Sequence, residues 1–494
     1  MERPLFEHQT SPARLRHLNR GARMTTSELL RRASAAGLLL AALACGGSRT
    51  PAGGVTPSTE QTLTELFNLP ALYQRMGRLA ASGPMPFVGN IAFVAGQGDS
   101  TIVRVGLSFE NHAFAFSRDG RAFSTRIRVE YNFTPVSGAA GVRVTPGAEA
   151  RAAGTPVQAV RDEVIRVESF RETQRGDESV IVEQGFLLAP GNYQLGVTVR
   201  DPGSNAFSRA EQAIEVPAFR AGSNTSPILV YQARPRQRLA DSLMLVLNAR
   251  GTVANGGGDS LLMYVEGYQF SGPRQVPVEV RDDRDSVIYH GSIPFQGGQP
   301  LEAHVVRLAS DAPPLGELRI TLGEGAAAQK VTALVSFSRS WVVTNYDNLL
   351  ALLRFFPWAP DRLNALRNAK PGDRPRLWRE FWSASDPVPE TGENEALDQY
   401  FTRIAIANER FKDEGGPGWR TDRGEVFVTL GEPDQVIETP PGTEQRIVQW
   451  VYSNYRAVIN FTGQLGFSRL RMTPASRAEF SRARAQVMRQ GNSR

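Results

Sequence analysis

The chain contains 494 residues, with 56 Lys and Arg, 50 Asp and Glu, and a formal net charge of +6. This length predicts about three domains of roughly 100 to 200 residues each. The first 44 residues hold seven Arg against three Glu, which leaves 49 basic and 47 acidic side chains in the remainder. Most of the excess charge therefore belongs to the N-terminus, and the absence of a basic stripe argues against nucleic-acid binding.

The N-terminus has the pattern of an export signal. A charged segment begins at Met24, and ten apolar or small residues follow it at 35–44. This run is too short to cross a bilayer, which takes about twenty residues. Residues 1–44 therefore resemble a bacterial lipoprotein signal peptide, and we expect 1–23 to precede the true start because Met24 already begins a complete leader. Arg31 and Arg32 also fit a twin-arginine export signal, which the Ala and Ser behind them disfavour.

Cys45 is the only cysteine of the chain. Its position after the apolar run and before a Gly, Ser, Thr and Pro-rich segment favours lipidation over an incidental buried thiol. We expect Cys45 to be the acylated first residue of the mature protein, and Gly46 behind it, rather than Asp, predicts sorting to the outer membrane. A mature chain with no other cysteine excludes disulfides, thiolate metal sites and a cysteine nucleophile.

Two short segments precede the first large domain. Residues 45–58 are predicted to be a flexible tether, because Gly, Thr, Ser and Pro dominate them. Residues 59–85 are predicted to be a helical segment docked on the first sandwich, because apolar residues recur at helical spacing from Leu63 to Leu79. Pro70 divides this run into a broken helix.

A long β tract follows, which we divide into two immunoglobulin-like β-sandwiches at 86–220 and 226–340. Both ranges contain short alternating apolar segments separated by turn residues. In the first sandwich, Pro190, Gly191 and Tyr193 resemble the tyrosine corner of immunoglobulin-like domains, in which a Tyr hydroxyl ties a strand end to a neighbouring turn. The chain lacks the cysteine and tryptophan pair of true immunoglobulin domains, so the prediction is one of class.

The composition changes at Trp341, and all six tryptophans lie between this residue and Trp450. Apolar residues now recur at helical spacing as far as Phe411, which predicts a helical first half for an α+β module at 341–475. The aromatic side chains could line a groove for sugar or peptide, but at helical spacing they more often form a core. The predicted fold class is therefore multidomain β plus α+β.

The second half of the module is predicted to be a small antiparallel sheet. Val426, Val428 and Leu430 alternate with other residues and are assigned to one face of its first strand. Further strands are predicted near 447–452, 458–461 and 467–470. Residues 476–494 are predicted to form a charged helical tail, either as a helix exposed to solvent or as a frayed end.

Closely spaced residues connect the two halves of the module: Gly418, Trp419, Thr421, Asp422, Arg423 and Gly424. A second turn follows, with Gly431, Pro433 and Asp434. Together with the helical segments 381–387 and 403–411, these residues resemble the GWxTD domain family of bacterial proteins. The resemblance covers residues 341–466 and implies an architecture, without a settled activity.

Two interpretations of this signature remain open. In the structural one, Trp419 plugs the junction of helices and sheet, Asp422 accepts N–H groups of its own turn, and Gly424 takes a backbone conformation closed to other residues. In the functional one, Asp422, Arg423 and Asp434 form a polar binding site beside Trp419. Asp and Gly turns commonly have the structural purpose, which favours the first interpretation.

The sequence predicts no metal site and no cofactor. After the leader, the histidines lack ligand spacing, and the acidic turn at 282–285 lacks the spaced oxygen ligands of a calcium loop. The histidines are His112, His290 and His304. The remaining enzymatic option is a carboxylate pair, drawn from four acids near the signature. These are Glu425, Glu432, Asp434 and Glu438.

We therefore expect a non-enzymatic cell-envelope lipoprotein that binds a protein or glycan partner and reaches the membrane through its lipid anchor. The alternative is a carboxylate-dependent hydrolase acting on an envelope polymer. The two hypotheses differ in whether Asp422, Glu425 and Asp434 converge in one cleft.

Overall fold

The computed structural model describes residues 69–136, 156–176, 180–254, 260–308, 314–337, 341–343, 345–389, 394–412, 416–439, 445–464 and 469–492. The predictions for the signal peptide, for lipidation of Cys45 and for the tether at 45–58 lie outside these residues. All structural statements below concern the described part of the chain.

Two sheets form the first sandwich. One has the order β1-β2-β3-β7, with β1 at Leu79–Ala81, β2 at Phe87–Ala95, β3 at Thr101–Phe109 and β7 at Val180–Leu188. The other has the order β4-β5-β8-β9, with β6 beside β5; its strands are Ser117–Asp119, Ala122–Pro135, Val157–Val167, Gly191–Arg200 and Phe207–Val216, for β4, β5, β6, β8 and β9. Alternate residues of both sheets face one apolar core, as period-2 strands require, among them Val103, Val105, Val129 and Val197.

The predicted tyrosine corner is present in this sandwich. The Tyr193 hydroxyl in β8 donates a hydrogen bond of 3.0 Å to the carbonyl oxygen of Ala189, at the end of the preceding strand. A short helix, α2 at Phe170–Thr173, follows β6, and the Ser169 hydroxyl caps it by accepting from the Glu172 N–H.

The second sandwich also consists of two sheets. One has the order β11-β10-β13-β16, with β10 at Ile228–Arg234, β11 at Met244–Leu247, β13 at Leu261–Tyr268 and β16 at Leu301–Leu308. The other has the order β12-β18-β17-β14-β15; its strands are Thr252–Ala254, Arg274–Arg281, Val287–Phe295, Gly316–Leu322 and Gln329–Ser336, for β12, β14, β15, β17 and β18. Strand β12 runs parallel to β18, whereas the other pairs of this sandwich are antiparallel.

The outer faces of the two sandwiches pack on each other. Ala92 and Val94 of β2 lie in one buried apolar cluster with Val230 and Tyr264 of the second sandwich. Because β2 also contributes Phe87 to the core of the first sandwich, this strand is apolar on both faces. The two β domains therefore form a continuous packed body in the described part of the chain.

The segment predicted to be helical at 59–85 is only partly so. Helix α1 spans Leu69–Arg75, and Pro70 lies in its first turn. Proline is tolerated there because an N–H in the first turn makes no hydrogen bond within the helix. The prediction of a helix reaching Leu79 was wrong, because Gly77 turns the chain at φ 77° and Leu79 begins β1, which pairs with β2.

Helix α1 contacts more than the first sandwich. Leu72 and Tyr73 lie in an apolar cluster with Val88 of β2, Leu334 of β18 and Val342 at the start of the next module. The helix thus packs where the three domains of the described chain come together.

The third module begins with four α-helices. They are α3 at Tyr346–Leu352, α4 at Pro360–Arg367, α5 at Arg374–Ser385 and α6 at Glu395–Arg410. Asn345 caps α3 and Asn394 caps α6, each side chain accepting from backbone N–H groups of the first turn. Trp378, Phe381 and Tyr400 are buried in the core of the module, so most of these aromatic side chains are packing residues.

The segment after the signature is a helix and not the predicted strand. Helix α7 spans Asp422–Leu430, and Val426, Phe427, Val428, Thr429 and Leu430 are all buried. Since five consecutive residues are buried, the alternation of valines carries no information about a strand. The prediction of a strand face through Val426, Val428 and Leu430 was therefore wrong.

A small antiparallel sheet and a final helix complete the module. The sheet has the order β19-β20-β21-β22, with β19 at Gln435–Glu438, β20 at Gln445–Tyr452, β21 at Ala457–Gln464 and β22 at Arg471–Met472. Half of the strand predicted at 467–470 lies outside the described residues, and the other half, Arg469 and Leu470, precedes β22 without being part of a strand. Helix α8 at Pro474–Asn492 is not fully solvated as predicted, since Phe480 and Ala483 are buried in the core of the module.

The predicted fold class is confirmed, with two packed β-sandwiches followed by helices and a small antiparallel sheet. Within the described ranges, none of the helices combines the length and the apolar character needed to span a bilayer.

Candidate functional site

Trp419 lies in a 3-10 turn at Gly418–Arg420 and is completely buried. Its ring meets Phe355 edge-on, with centroids 5.8 Å apart, and the Arg420 guanidinium lies 5.1 Å from its centroid. The indole N–H has no hydrogen-bond partner among the described residues. Trp419 therefore packs inside the module and offers no face to a ligand.

Gly418 and Gly424 bring three segments into backbone contact. A β-carbon on Gly418 would lie 2.3 Å from the carbonyl oxygen of Ala407 in α6, and one on Gly424 would lie 2.1 Å from the carbonyl oxygen of Gly418. Gly424 has no positive φ, so the predicted reason for this glycine was wrong. The position requires glycine because there is no space for a side chain.

Thr421 caps helix α7. Its hydroxyl oxygen accepts from the Gly424 N–H at 3.0 Å and donates to the Gly418 carbonyl oxygen at 2.7 Å. The sequence had assigned this capping role to Asp422, which was wrong, because Thr421 rather than Asp422 occupies the cap position.

Asp422 instead reaches across to the last strand and the last helix. Its Oδ2 accepts from the Met472 N–H at 2.8 Å and lies 3.3 Å from Arg477 in α8, while Oδ1 lies 3.6 Å from Arg471. The carboxylate is 13 % exposed. Asp422 thus ties the start of α7 to β22 and α8, where the N-terminus of a helix also favours a negative charge.

The neighbouring charged residues of α7 are also engaged. The Arg423 guanidinium lies 4.7 Å from the centroid of Phe411, and Glu425 lies 3.7 Å from the same Arg477 that contacts Asp422. Asp422 and Glu425 therefore share one cation, Arg477.

The second turn of the signature lies at the opposite end of α7. Gly431 ends the helix at φ 88°, and its carbonyl oxygen accepts from the Tyr452 hydroxyl at 3.0 Å. Asp434 follows the half-buried Pro433, and its Oδ2 accepts from the Ser453 N–H at 2.6 Å. This hydrogen bond lowers the pKa of the exposed Asp434 carboxyl.

The predicted carboxylates do not converge. Asp422 is the first residue of the nine-residue helix α7, which spans roughly 13 Å at 1.5 Å per residue, and Asp434 lies beyond its other end. Glu432 and Glu438 are paired on the surface with Arg410 at 2.7 Å and Arg446 at 3.3 Å. These residues therefore do not form the pair of neighbouring carboxyls that acid–base catalysis would need.

The described residues also contain no group of three or more His, Cys, Asp or Glu that could hold a metal ion. In the acidic turn at 282–285, Asp282 accepts from the N–H groups of Arg284 and Ser286, so its carboxylate closes the turn. His304 packs edge-on against Phe295 at 4.8 Å, within the second sandwich.

An open cavity of about 170 Å³ lies between α6, α7 and α8 of the module, and the sequence analysis did not predict it. Its one charged lining residue is Arg403, beside Gln399 and Tyr455. In the sequence, the only indication of this cavity was the position of Arg403, a charged residue next to the apolar residues of α6. Burial lowers the pKa of the Arg403 guanidinium, and the tyrosines 455 and 452 oppose the shift.

The model of the GWxTD domain matches residues 324–484, which include every helix and strand of the third module from Tyr346 to β22. Among solved structures, the chain is similar to the calcium binding domain CBD12 of CALX1.1, with 14 % identity over 58 % of this chain and 93 % of that one and a TM-score of 0.12. It is also similar to trypsin-activated alpha-2-macroglobulin from Escherichia coli, with 14 % identity over 52 % of this chain and 17 % of that one and a TM-score of 0.15.

These TM-scores are too low for either structure to bear on fold or function. A comparison with curated proteins finds no significant match. The signature residues and the domain match agree on the third module, so the chain contains a GWxTD domain at residues 324–484.

Proposed function

We propose that this chain is a lipid-anchored cell-envelope protein that binds a protein partner through the free edge of the sheet in its GWxTD module. Support for the anchor comes from the apolar run at 35–44, its small residues and Cys45. Residues 46–58, rich in Gly, Ser, Thr and Pro, would give the folded domains reach from the membrane.

The observation that carries the binding proposal is strand β19. All four of its residues are exposed, and Val436 and Ile437 are 52 % and 51 % exposed. Among the described strands, β19 pairs only with β20. An edge strand directs alternate N–H and C=O groups away from its sheet, and an extended segment of another chain can bind there as an additional strand.

The adjoining sheet face also suits such a segment. Ile437 lies opposite Gln449 in the register of β19 and β20, and Ile447 lies two residues farther along the same face. Ile447 is 36 % exposed. The buried face of β20, with Val448 and Trp450, packs toward the helices instead. We therefore expect the partner segment to carry β-branched apolar residues at every second position, because these would extend the exposed apolar row.

The partner test starts with affinity capture from host membranes using the native lipoprotein and an Ile437→Lys variant. Lysine on an edge strand discourages pairing without disturbing a core. Val287→Lys is the matched control, because Val287 is also an exposed apolar residue on the last strand of a sheet, with 48 % exposure.

A captured protein counts only when it is purified and rebinds the purified chain. We expect its dissociation constant to rise at least about tenfold with Ile437→Lys and to stay unchanged with Val287→Lys. The proposed surface would be refuted if the captured protein bound the Ile437→Lys and Val287→Lys variants equally well. It would also be refuted if the chain retained a glycan and no protein.

The anchor has a separate test. Cys45→Ser should move the chain from the membrane fraction to the soluble fraction, since no acyl chain can then be attached. Membrane retention of this variant would contradict lipidation, and inner-membrane fractionation of the native chain would contradict outer-membrane sorting.

A further inference from the structure

The cavity between α6, α7 and α8 combines apolar walls with one cation. Phe356, Trp358, Tyr400, Val428 and Val487 supply apolar wall atoms. Polar groups come from Gln399 and Arg403 of α6, from Thr429 of α7 and from Tyr455 in the turn after β20. No Asp or Glu lines the cavity among the described residues.

Arg403 is half-buried and differs from the arginines that pair with the acids near the signature. Asp422, Glu425, Glu432 and Glu438 each lie within 4 Å of an arginine, whereas none of the described carboxylates lies that close to Arg403. The guanidinium packs over Gly431, where a β-carbon would lie 3.1 Å from Nη2. The absence of a side chain at Gly431 thus makes room for this cation.

The surrounding charges also favour an anion. Burial raises the pKa of the Tyr400 hydroxyl, and the positive charges of Arg484 and Arg367 are among the groups that oppose this shift. Arg484 belongs to α8, and no ion pair of it is found in the described residues. Arg367 and Arg484 therefore add positive charge in the neighbourhood of Tyr400.

We propose that this cavity binds a carboxylate attached to an apolar group of about one aromatic ring, with Arg403 holding the carboxylate. A guanidinium presents a planar pair of N–H donors that matches a carboxylate. A cavity of about 150 Å³ is known to accommodate benzene, so about 170 Å³ suits a single ring. The monoanionic carboxylate fits a lining with one cation better than a phosphate dianion would.

A substitution at Gln399 can test the role of the Arg403 charge without changing a core residue. It lies four residues before Arg403 on α6 and is exposed. A Glu at this position would have the favourable i,i+4 spacing to the Arg, so Gln399→Glu would supply an internal carboxylate in competition with the ligand.

This site is separate from the strand edge of the proposed function. The cavity lining contains no residue of β19, so loss of one activity need not affect the other.

The experiment measures binding of phenylacetate and of its neutral amide, phenylacetamide, to the full chain by calorimetry and by the fluorescence of Trp358 and its neighbours. We expect phenylacetate to bind roughly 10- to 100-fold more tightly than the amide, the range for one hydrogen-bonded charge pair. The same two binding measurements are made with N-acetylphenylalanine and its amide. Comparison of the two acids shows whether the site prefers a peptide C-terminus or a free acid. Failure to bind phenylacetate and N-acetylphenylalanine, or equal binding of each acid and its amide, overturns the proposal.

Variants then assign the charge to Arg403. Arg403→Met should weaken binding of the preferred acid roughly 10- to 100-fold. Arg410→Met, the same change on the same helix at a residue paired with Glu432, should leave binding unchanged. Gln399→Glu should weaken binding more than Gln399→Ala does, because only the Glu supplies a competing carboxylate, and this exposed pair decides the matter if Arg403→Met does not fold. Undiminished binding by Arg403→Met or by Gln399→Glu would refute the role of the guanidinium.

Discussion

The carbonyl oxygen of Gly418 lies 2.1 Å from the point where a β-carbon on Gly424 would be placed. Gly418 is equally confined, by backbone atoms of Ala407 and Asn408 in α6. Backbone atoms cannot rotate away as a flexible side chain can. The spacing of the two glycines therefore lets α6, the turn with Trp419 and α7 pack in direct backbone contact.

Alanine at either glycine should destabilise the module. We expect Gly424→Ala and Gly418→Ala each to lower the free energy of unfolding by about 2 to 3 kcal/mol, because the added methyl group overpacks a rigid site. Chemical denaturation of the full chain measures this change. Gly416→Ala is the control, since a β-carbon there meets nothing within 4 Å. An equal loss in the control would show that the contact is not the cause.

Asp422 should contribute more through its hydrogen bond than through its ion pairs. Arg471 and Arg477 are 57 % and 49 % exposed, so their attraction to Asp422 is worth about 1 kcal/mol or less. Asp422→Asn keeps an acceptor for the Met472 N–H and should cost at most about 1 kcal/mol. Asp422→Ala leaves that N–H without its partner and should cost about 2 to 3 kcal/mol.

Denaturation of the two Asp422 variants measures both losses. An equal loss with Asn and Ala would locate the contribution in the charge. Unchanged stability in both would show that the contact with Met472 is dispensable.

Glu266 should be essential to the second sandwich. It forms a bidentate ion pair with Arg236, at 2.6 and 2.8 Å, and the two side chains are 0 % and 1 % exposed. The hydroxyls of Tyr264 and Tyr268 also donate to its carboxylate, and Arg236 donates to the carbonyl oxygen of Ala95 in the first sandwich. This buried network thus connects the two β domains.

We expect Glu266→Ala to lower the free energy of unfolding by about 3 to 5 kcal/mol, because it leaves the guanidinium of Arg236 buried without a counter-charge. Thermal and chemical unfolding measure the loss. Asp162→Ala, which breaks the exposed pair with Arg128, should shift the midpoint little. A small effect of Glu266→Ala would mean that water or another group replaces the carboxylate.

His304 should make stability depend on pH. Burial lowers its pKa below the ordinary value of 6.5, with Glu302 opposing the shift. The unfolded chain therefore binds a proton at a higher pH than the folded one, so this contribution is present above pH 6.5 and is lost as pH falls through the folded pKa. His304→Phe should flatten the pH dependence of the unfolding midpoint between about pH 5 and 7. An identical pH profile for native chain and His304→Phe would contradict the assignment.

Several features could be predicted from sequence because they depend on neighbours along the chain. Alternating apolar residues predicted most strands of the sandwiches, since a half-buried strand needs period 2. The Tyr193 corner also depends on a contact only four residues away. The signature identified the third module for the same reason, because its first six residues, from Gly418 to Gly424, lie within seven positions of one another.

The sequence alone determined that the chain has two β domains and a signature-bearing α+β module. Tertiary structure decided the conformation of 422–430, because a segment buried on all sides satisfies strand and helix patterns equally. Tertiary structure also decided what the polar residues contact. Asp422 accepts a hydrogen bond from the N–H of Met472, which lies fifty residues later in the chain. Arg403 lines a cavity whose walls come from three helices that are separate in sequence. Such contacts depend on how distant segments pack, and no local pattern in the chain encodes them.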